Sequence, residues 1–222
     1  AGDFENLQNI KFPLGNPSSA KVRNDKAGDG SFGAKRGRRI HNAVDYEAKP
    51  FADIYAPISG KLGYKPVFNS RNGKGGGYLI LEGTGDYSKW RFALGYASIR
   101  KDLLQIMKDN GENSTEVVRG EKIGKTTFMA IGRSKDLVQQ VAIPASPQES
   151  LKSLEKGLAV AGSAIAIRDN GYAYTDELGG TVKVYGADKD EKDMINHLHV
   201  KVQYEIDGKF RLFNITDYPK FI

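Results

Sequence analysis

Apolar and polar residues alternate along the segment NHLHVKVQYEI. Neighbouring side chains of a β-strand point to opposite faces, so Leu198, Val200 and Val202 would share one buried face. His197 and His199 would then project together from the other face. The pattern therefore predicts a half-buried strand that presents two imidazoles side by side.

Shorter apolar runs bounded by glycine, proline or asparagine predict further strands. These runs are residues 52–64, 75–83, 89–97, 163–169, 171–176, 180–186 and 209–215. So many short strands, in a chain with 26 glycines, favour a mainly β protein with minor α content, built on an antiparallel sheet with tight turns.

A spacing of three to four residues between apolar side chains predicts two helices. The first covers residues 99–111, with Ser98 as its N-cap and Gly111 as its C-terminal stop. Its expected apolar stripe is Ile99, Leu103, Ile106 and Met107. The second covers residues 146–158 and begins with a capping box closed by Glu149. The simplest architecture is one mostly antiparallel β domain with a helical insertion.

The first part of the chain has little periodicity, and residues 1–36 are expected to form an irregular segment packed on the domain or leading into it. Between Lys21 and Arg39 seven basic and two acidic side chains give a local charge of +5. A nucleic-acid binder that uses this segment is an alternative that depends on charge alone. We therefore expect no nucleic acid among the partners.

The remaining composition excludes several kinds of site and indicates the kind of partner. The chain has no cysteine, which excludes disulfides and thiolate metal sites. No apolar run approaches the ~20 residues that a membrane span needs. The net charge of +6 indicates an anionic partner, such as phospholipid head groups or an acidic cell wall, or only a soluble surface. No apolar signal segment precedes Ala1, so we expect any targeting peptide to have been removed.

The histidines are the candidate chemistry, because the chain has three and two of them are His197 and His199. Two imidazoles on one strand face can hold one metal ion, or one can bind metal while the other moves protons. The alternative is a pair of exposed strand histidines without a function. The third histidine, His41, lies four residues before Asp45 in IHNAVDYEA, so the two side chains can converge on one ion. Alternatively, Asp45 is a turn residue that bonds its own backbone.

The donor types indicate which metal such a cluster would prefer. Two imidazole nitrogens and one carboxylate oxygen, with a fourth position open, are typical of catalytic zinc. Calcium and magnesium prefer sites made of oxygen ligands. The sequence therefore indicates Zn²⁺ as the cofactor.

Five ordered segments resemble landmarks of the lysostaphin-type (LytM-like) zinc metallopeptidases. They are IHNAVDYEA, DIYAPISGKL, GGGYLIL, VVRGEKIGKT and NHLHVKV. The resemblance covers about residues 37–126 and 194–206. It implies a metallopeptidase domain over residues 37–222, with an antiparallel β groove and an insertion at about 127–190.

The resemblance also implies roles for individual residues. His41, Asp45 and His199 would ligate zinc, and His197 would be the catalytic group beside the metal. Members of the family mostly cleave peptide bonds of peptidoglycan, in Gly-rich bridges or D-amino-acid crosslinks. The implied protein is an endopeptidase exported to the periplasm, the cell wall or the medium, with peptidoglycan or a Gly-rich peptide as substrate; the oligomeric state stays open.

One position departs from the family pattern. Active relatives usually carry a fourth histidine in a Tyr-x-His-Leu stretch, and the segment GYASI has Ser98 there. A serine hydroxyl is not a general base near neutral pH without a partner. Tyr96 is retained, and Tyr96 and Tyr174 are candidate contacts for substrate or oxyanion. The candidates to replace the missing base are Tyr96 and three polar residues of the insertion, Tyr172, Tyr174 and Asp176.

The same departure supports an alternative function. The chain would be a zinc-containing binding module that has lost catalysis and recognises wall glycopeptide or a protein partner. Vertebrate leukocyte cell-derived chemotaxins look like the same fold, keep both histidine motifs and lack the same histidine, but the absence of cysteine argues against membership of that group. The peptidase is the main prediction because all three candidate ligands are present.

Overall fold

The computed structural model describes residues 9–25, 28–49, 52–66, 77–126, 164–167, 171–175, 181–185 and 195–217. Within these residues the chain is mainly antiparallel β-sheet with one α-helix. This architecture confirms the mainly β fold class predicted from the alternating pattern.

The described elements follow one another along the chain in this order. Two small hairpins come first, formed by β1 (Asn24–Asp25) with β2 (Gly28–Asp29) and by β3 (Lys35–Arg36) with β4 (Arg39–Ile40). Next come β5 (Val44–Glu47), β6 (Asp53–Tyr55), β7 (Gly60–Pro66), β8 (Gly77–Gly83), β9 (Trp90–Ile99), α1 (Lys101–Asn110), β10 (Ser114–Val117) and β11 (Lys122–Thr126). The remaining strands are β12 (Ala164–Ile167), β13 (Gly171–Thr175), β14 (Thr181–Tyr185), β15 (His197–Ile206) and β16 (Lys209–Phe213).

The main sheet is arranged around two long strands, β9 and β15. Strand β9 pairs with β8, β11 and β15, and β15 also pairs with β5 and β16, all antiparallel. His199 and Val200 of β15 therefore lie between β5 and β9. Any side chain at this position is held by hydrogen-bonded strands on both sides.

The core lies on one face of this sheet, where the alternation of the sequence places it. Leu198, Val200 and Val202 of β15 are fully buried, as predicted, and Phe92 and Leu94 of β9 are buried with them. Burial of each such side chain contributes roughly 1.5–3 kcal/mol. The opposite face of the same strands is free to carry polar groups.

Helix α1 confirms one prediction and corrects two others. It ends at the predicted stop, Gly111, which has a left-handed φ of 65°. It begins after Arg100, so the predicted N-cap Ser98 is wrong: Ser98 lies in β9, opposite Lys125 of β11. Pairing with β11 keeps the chain extended at this point and overrides the capping preference of serine.

The predicted apolar stripe of this helix is also only partly correct. Leu103 and Met107 are buried, whereas Ile106 is 43% exposed. Ile99 is buried as the last residue of β9 and not as part of the helix.

The N-terminal segment packs against the rest of the described protein. Ile10 and Phe12 belong to the main core. Backbone hydrogen bonds from Arg23 N to Asp45 O (2.8 Å) and from Asp45 N to Gly30 O (2.9 Å) attach this segment to β5. The boundary near residue 36 stays a prediction.

The described part of the insertion is β structure. Strands β12, β13 and β14 form an antiparallel three-stranded sheet, as the sequence predicts for these three segments. The predicted helix at 146–158 lies outside the described residues. No helix among the residues that the structure describes has the length and apolarity needed to cross a bilayer.

Candidate metal centre

The candidate metal centre lies where β5 and β15 pair. Asp45 of β5 is directly opposite His199 of β15, and His199 is also opposite Gly95 of β9. A Cβ atom at Gly95 would lie 2.7 Å from Cε1 of Tyr78 and 3.2 Å from Cβ of His199. Glycine is therefore the residue that leaves room here for both rings.

Three side chains converge at this point. His199 Nδ1 is 2.8 Å from Asp45 Oδ1, His41 Nε2 is 3.2 Å from the same oxygen, and the two ring nitrogens are 3.3 Å apart. All three side chains are largely buried. The expected convergence of His41 with Asp45 and with the distant His199 is present, and these groups can hold a metal ion.

The spacing and the donors fit zinc. A tetrahedral ion with bonds of about 2.0–2.1 Å holds its ligand atoms about 3.3 Å apart. The two separations from His41 Nε2 match this value, whereas Asp45 Oδ1 and His199 Nδ1 lie at the shorter distance of a hydrogen bond. Two imidazole nitrogens and one carboxylate oxygen are also the ligand types that zinc accepts, and they leave one tetrahedral position for another ligand.

The hydrogen bonds of the histidine rings determine which nitrogens are available to bind metal or to accept a proton. His41 Nδ1 is 3.0 Å from the carbonyl oxygen of Ser31, so this nitrogen carries the proton and Nε2 faces the cluster with its lone pair. His197 Nδ1 is 2.8 Å from the carbonyl oxygen of Ile195, which leaves Nε2 to accept a proton. His197 Nε2 lies 3.6 Å from Asp45 Oδ2.

The second oxygen of Asp45 faces two guanidinium groups. Arg23 donates to Asp45 Oδ2 from Nη2 at 3.2 Å and from Nε at 3.4 Å, and Arg36 donates from Nη2 at 3.4 Å. The two carboxylate oxygens therefore have different partners. Oδ1 faces His41 and His199, and Oδ2 faces the arginines. This division orients the oxygen that would bind metal.

These contacts also keep Asp45 ionised. Burial alone would raise the pKa of Asp45, but the close contacts with the His199 and His41 ring nitrogens and the nearby ring of His197 outweigh burial and hold the pKa well below its usual range. A charged carboxylate is the form that binds a cation.

Tyr96 borders the cluster because of a β-bulge. The pairing of β8 with β9 goes from Gly77 opposite Ala97 to Tyr78 opposite Gly95, which leaves Tyr96 as the extra residue. Its φ of 60° is a left-handed conformation that an aromatic residue rarely adopts. Such strain is concentrated at functional sites.

The bulge places the Tyr96 ring against both histidines of β15. Its centroid is 5.3 Å from that of His197 and 5.9 Å from that of His199. Tyr78 approaches His199 edge-on at 6.2 Å. Burial, followed by the charge of Asp45, raises the pKa of Tyr96, and burial with the neighbouring Tyr96 and Asp45 raises the pKa of Tyr78. Both hydroxyls therefore stay protonated at neutral pH and can donate hydrogen bonds.

The other residues selected from the sequence lie elsewhere. The Ser98 side chain is buried, and its hydroxyl donates to the carbonyl oxygen of Lys125 at 3.4 Å. Tyr172 and Tyr174 lie in β13, whose side chains are not described, and Asp176 lies outside the described residues. The roles suggested for these insertion residues stay predictions.

Sequence reasoning missed Arg23, Arg36 and Tyr78. The alternation of the strand GYLILEG places Tyr78 on the face opposite Leu79 and Leu81, so its exposure to the site could have been anticipated. No local pattern marks Arg23 or Arg36, because their contacts with Asp45 are made 22 and 9 residues away along the chain.

Solved structures similar to this chain include a zinc-containing peptidase and lysostaphin. A zinc-containing peptidase from Vibrio cholerae has 14% identity and a TM-score of 0.37, with 93% of this chain and 39% of that chain covered. Lysostaphin, solved by NMR, has 15% identity and a TM-score of 0.37, with 92% of this chain and 90% of that chain covered. The sequence matches no protein-family model and no curated protein.

Proposed function

We propose that this protein is an exported zinc endopeptidase that hydrolyses peptide bonds of bacterial peptidoglycan, in crosslinks or Gly-rich bridges. The observation that supports it most is the cluster of His41 Nε2, Asp45 Oδ1 and His199 Nδ1, which lie 2.8–3.3 Å from one another and are the ligand types that zinc accepts. Zinc bound by these three groups would supply an activated water and a Lewis acid for the scissile carbonyl. Peptidoglycan as the substrate follows from the motif resemblance and from the basic net charge.

His197 is the proposed proton-transfer group. Its Nδ1–H donates to the Ile195 carbonyl, so Nε2 is the nitrogen that can take a proton and later return it to the leaving amine. Asp45 Oδ2 lies 3.6 Å from Nε2 and would stabilise the positive charge that the ring gains. This arrangement supplies a base although Ser98 occupies the position of the family's other histidine.

Tyr96 is the proposed donor to the carbonyl oxygen of the substrate. Its ring lies against His197 and His199, and its hydroxyl remains protonated because burial raises its pKa. A fixed donor at a developing oxyanion lowers the barrier because it needs no reorganisation during the reaction. Tyr78, on the other side of His199, is a second hydroxyl that can serve the same purpose.

Digestion of purified peptidoglycan tests the proposal. The full chain, loaded with zinc, should reduce the turbidity of a wall suspension and release new amino termini, and a chelator should stop the release until zinc is added back. His197→Ala should keep the zinc and lower the rate by about 10²–10⁴. A zinc-loaded protein that releases no amino termini from wall material or Gly-rich peptides would sink the peptidase proposal.

A binding module is the second candidate, and the position of Ser98 favours it. The Ser98 hydroxyl bonds to the Lys125 carbonyl, so this residue does not replace the missing histidine as a base. Cosedimentation with insoluble wall separates the two functions. Retention on the wall that survives His197→Ala, without any bond cleavage, would identify a binding protein.

A further inference from the structure

Arg23 is a buried cation shared by two carboxylates. Its side chain is 2% exposed; Nη1 donates to Asp25 Oδ1 at 2.8 Å, and Nη2 donates to Asp45 Oδ2 at 3.2 Å. A buried guanidinium is tolerated only when it is paired and hydrogen-bonded, because desolvation of the charge is costly. The planar fork of arginine can satisfy two carboxylates at once, which the single ammonium of lysine does less well.

Asp25 extends these contacts to the other end of the site. Its Oδ2 accepts a hydrogen bond from Ile195 N at 2.8 Å, while its Oδ1 also accepts from Gly28 N at 3.2 Å. The carbonyl of the same Ile195 accepts from His197 Nδ1 at 2.8 Å. Asp25 and the His197 ring are therefore linked through a single residue, Ile195, to which both side chains are hydrogen-bonded.

We propose that Arg23 and Asp25 are a positioning pair for the metal centre. Arg23 holds Asp45 Oδ2 so that Oδ1 points to His41 and His199, and Asp25 holds Ile195 so that its carbonyl fixes the His197 ring. One buried ion pair thus orients a zinc ligand and the proton-transfer histidine together. The inference deepens the proposed function and depends on it for the roles of Asp45 and His197.

The backbone around Arg23 is rigid enough for this role. Arg23 N donates to Asp45 O at 2.8 Å, Gly30 N donates to Arg23 O at 2.7 Å, and Asp45 N donates to Gly30 O at 2.9 Å. A Cβ at Gly30 would lie 2.8 Å from Asp45 Cβ and 2.9 Å from Arg23 O, so the three residues are in close contact. The segment cannot shift away from β5 without breaking these bonds.

Zinc affinity tests the Arg23 half of the pair. Arg23→Lys keeps the charge but loses the fork, and we expect the affinity, measured by competition with a chromophoric chelator, to fall about 10–100-fold. Lys21→Met is the matched control. Lys21 joins the same segment to Glu47 of the same strand β5 at 3.4 Å, but its side chain is 72% exposed. This variant should bind zinc like the parent protein.

The tautomer of His197 tests the Asp25 half. In the metal-free protein, ¹⁵N NMR should show His197 protonated at Nδ1. Asp25→Ala removes the acceptor of Ile195 N–H, so the signal should become an average of both tautomers and turnover should fall about 10-fold. Asp25→Asn keeps one acceptor oxygen and should give an intermediate result. A role in stability alone would lower the melting temperature without changing the tautomer.

The outcomes separate this inference from the proposed function. Zinc affinity and tautomer are measured without substrate, so a protein that passes both tests but cuts no peptide contradicts only the peptidase. Arg23→Lys with the affinity of Lys21→Met, or an unchanged His197 tautomer in Asp25→Ala, would overturn the positioning pair. If Arg23→Lys does not fold, the His197 tautomer in Asp25→Ala, which leaves Arg23 paired with Asp45, decides the question.

Discussion

The ring of Tyr96 stands perpendicular to the ring of His197, with an interplanar angle of 89°. This contact exists because Tyr96 is the extra residue of a β-bulge and has a positive φ. A regular strand would direct this side chain differently, so the bulge is the feature that brings a phenol to the two histidines of β15.

The Tyr96→Phe substitution distinguishes the contribution of the hydroxyl from that of the ring. The ring contacts and the backbone conformation are kept, so the melting temperature should change little. Turnover should fall about 10²-fold if the hydroxyl donates to the oxyanion, as for removal of other such donors. Steady-state kinetics on a wall peptide check this result, and an unchanged kcat would remove Tyr96 from the mechanism.

The ionised Asp45 makes the stability of the metal-free protein depend on pH. Its pKa is depressed in the folded state, so its contribution is fully present above the unfolded value near 3.8 and is lost as the pH falls below it. The slope for one such group is at most about 1.4 kcal/mol per pH unit. Urea unfolding between pH 3 and 7 measures this dependence.

Asp45→Asn is the comparison for that measurement. It leaves the buried Arg23 with one carboxylate fewer, and the free energy of unfolding at pH 7 should fall by about 3 kcal/mol. The difference between the two proteins should shrink below pH 4. A difference that stays constant down to pH 3 would mean that Asp45 does not have the low pKa that its contacts give it.

Gly95→Ala tests the space between β8 and β15. The new methyl group would lie 2.7 Å from the Tyr78 ring and 3.2 Å from His199 Cβ, so the Tyr78 ring or the strand must move. We expect a loss of about 1–3 kcal/mol in stability and weaker zinc binding. Gly37→Ala is a useful comparison, since a Cβ there contacts nothing within 4 Å, although its φ of 64° adds some backbone strain. Equal zinc affinity in the two variants would argue against close packing around His199.

Ser98→Ala should have little effect on activity. The hydroxyl donates to Lys125 O at 3.4 Å, a bond outside the histidine cluster, so its loss should cost about 1 kcal/mol of stability or less. Wall digestion and thermal unfolding of this variant check both statements. A large loss of activity with normal folding would show that Ser98 has a role in the site.

The sequence predicted those features that depend on local periodicity. The alternation around His197 and His199 gave the face of each side chain in β15 because a strand has a strict period of two. The start of α1 was misplaced because Ser98 is held in β9 by pairing with a strand 27 residues away. The helix-capping preference of serine gives no information about a strand partner that is distant in the sequence.

The supporting residues of the site could not be predicted for the same reason. Arg23 is buried by contacts with Asp25 and Asp45, and its sequence neighbourhood looks like a solvated basic segment. The bulge at Tyr96 depends on the register between β8 and β9, which the pattern of either strand alone does not determine.

Strand β15 lies between β5 and β9, and it brings His199 to a carboxylate 154 residues earlier in the sequence. During synthesis, residues 41 and 45 leave the ribosome long before their partner exists, so no growing chain can hold the ion with all three groups. The ability to hold the ion therefore arises in one late step, when this strand inserts between the two others. Under the proposed function, the chain therefore stays inactive until that strand is in place.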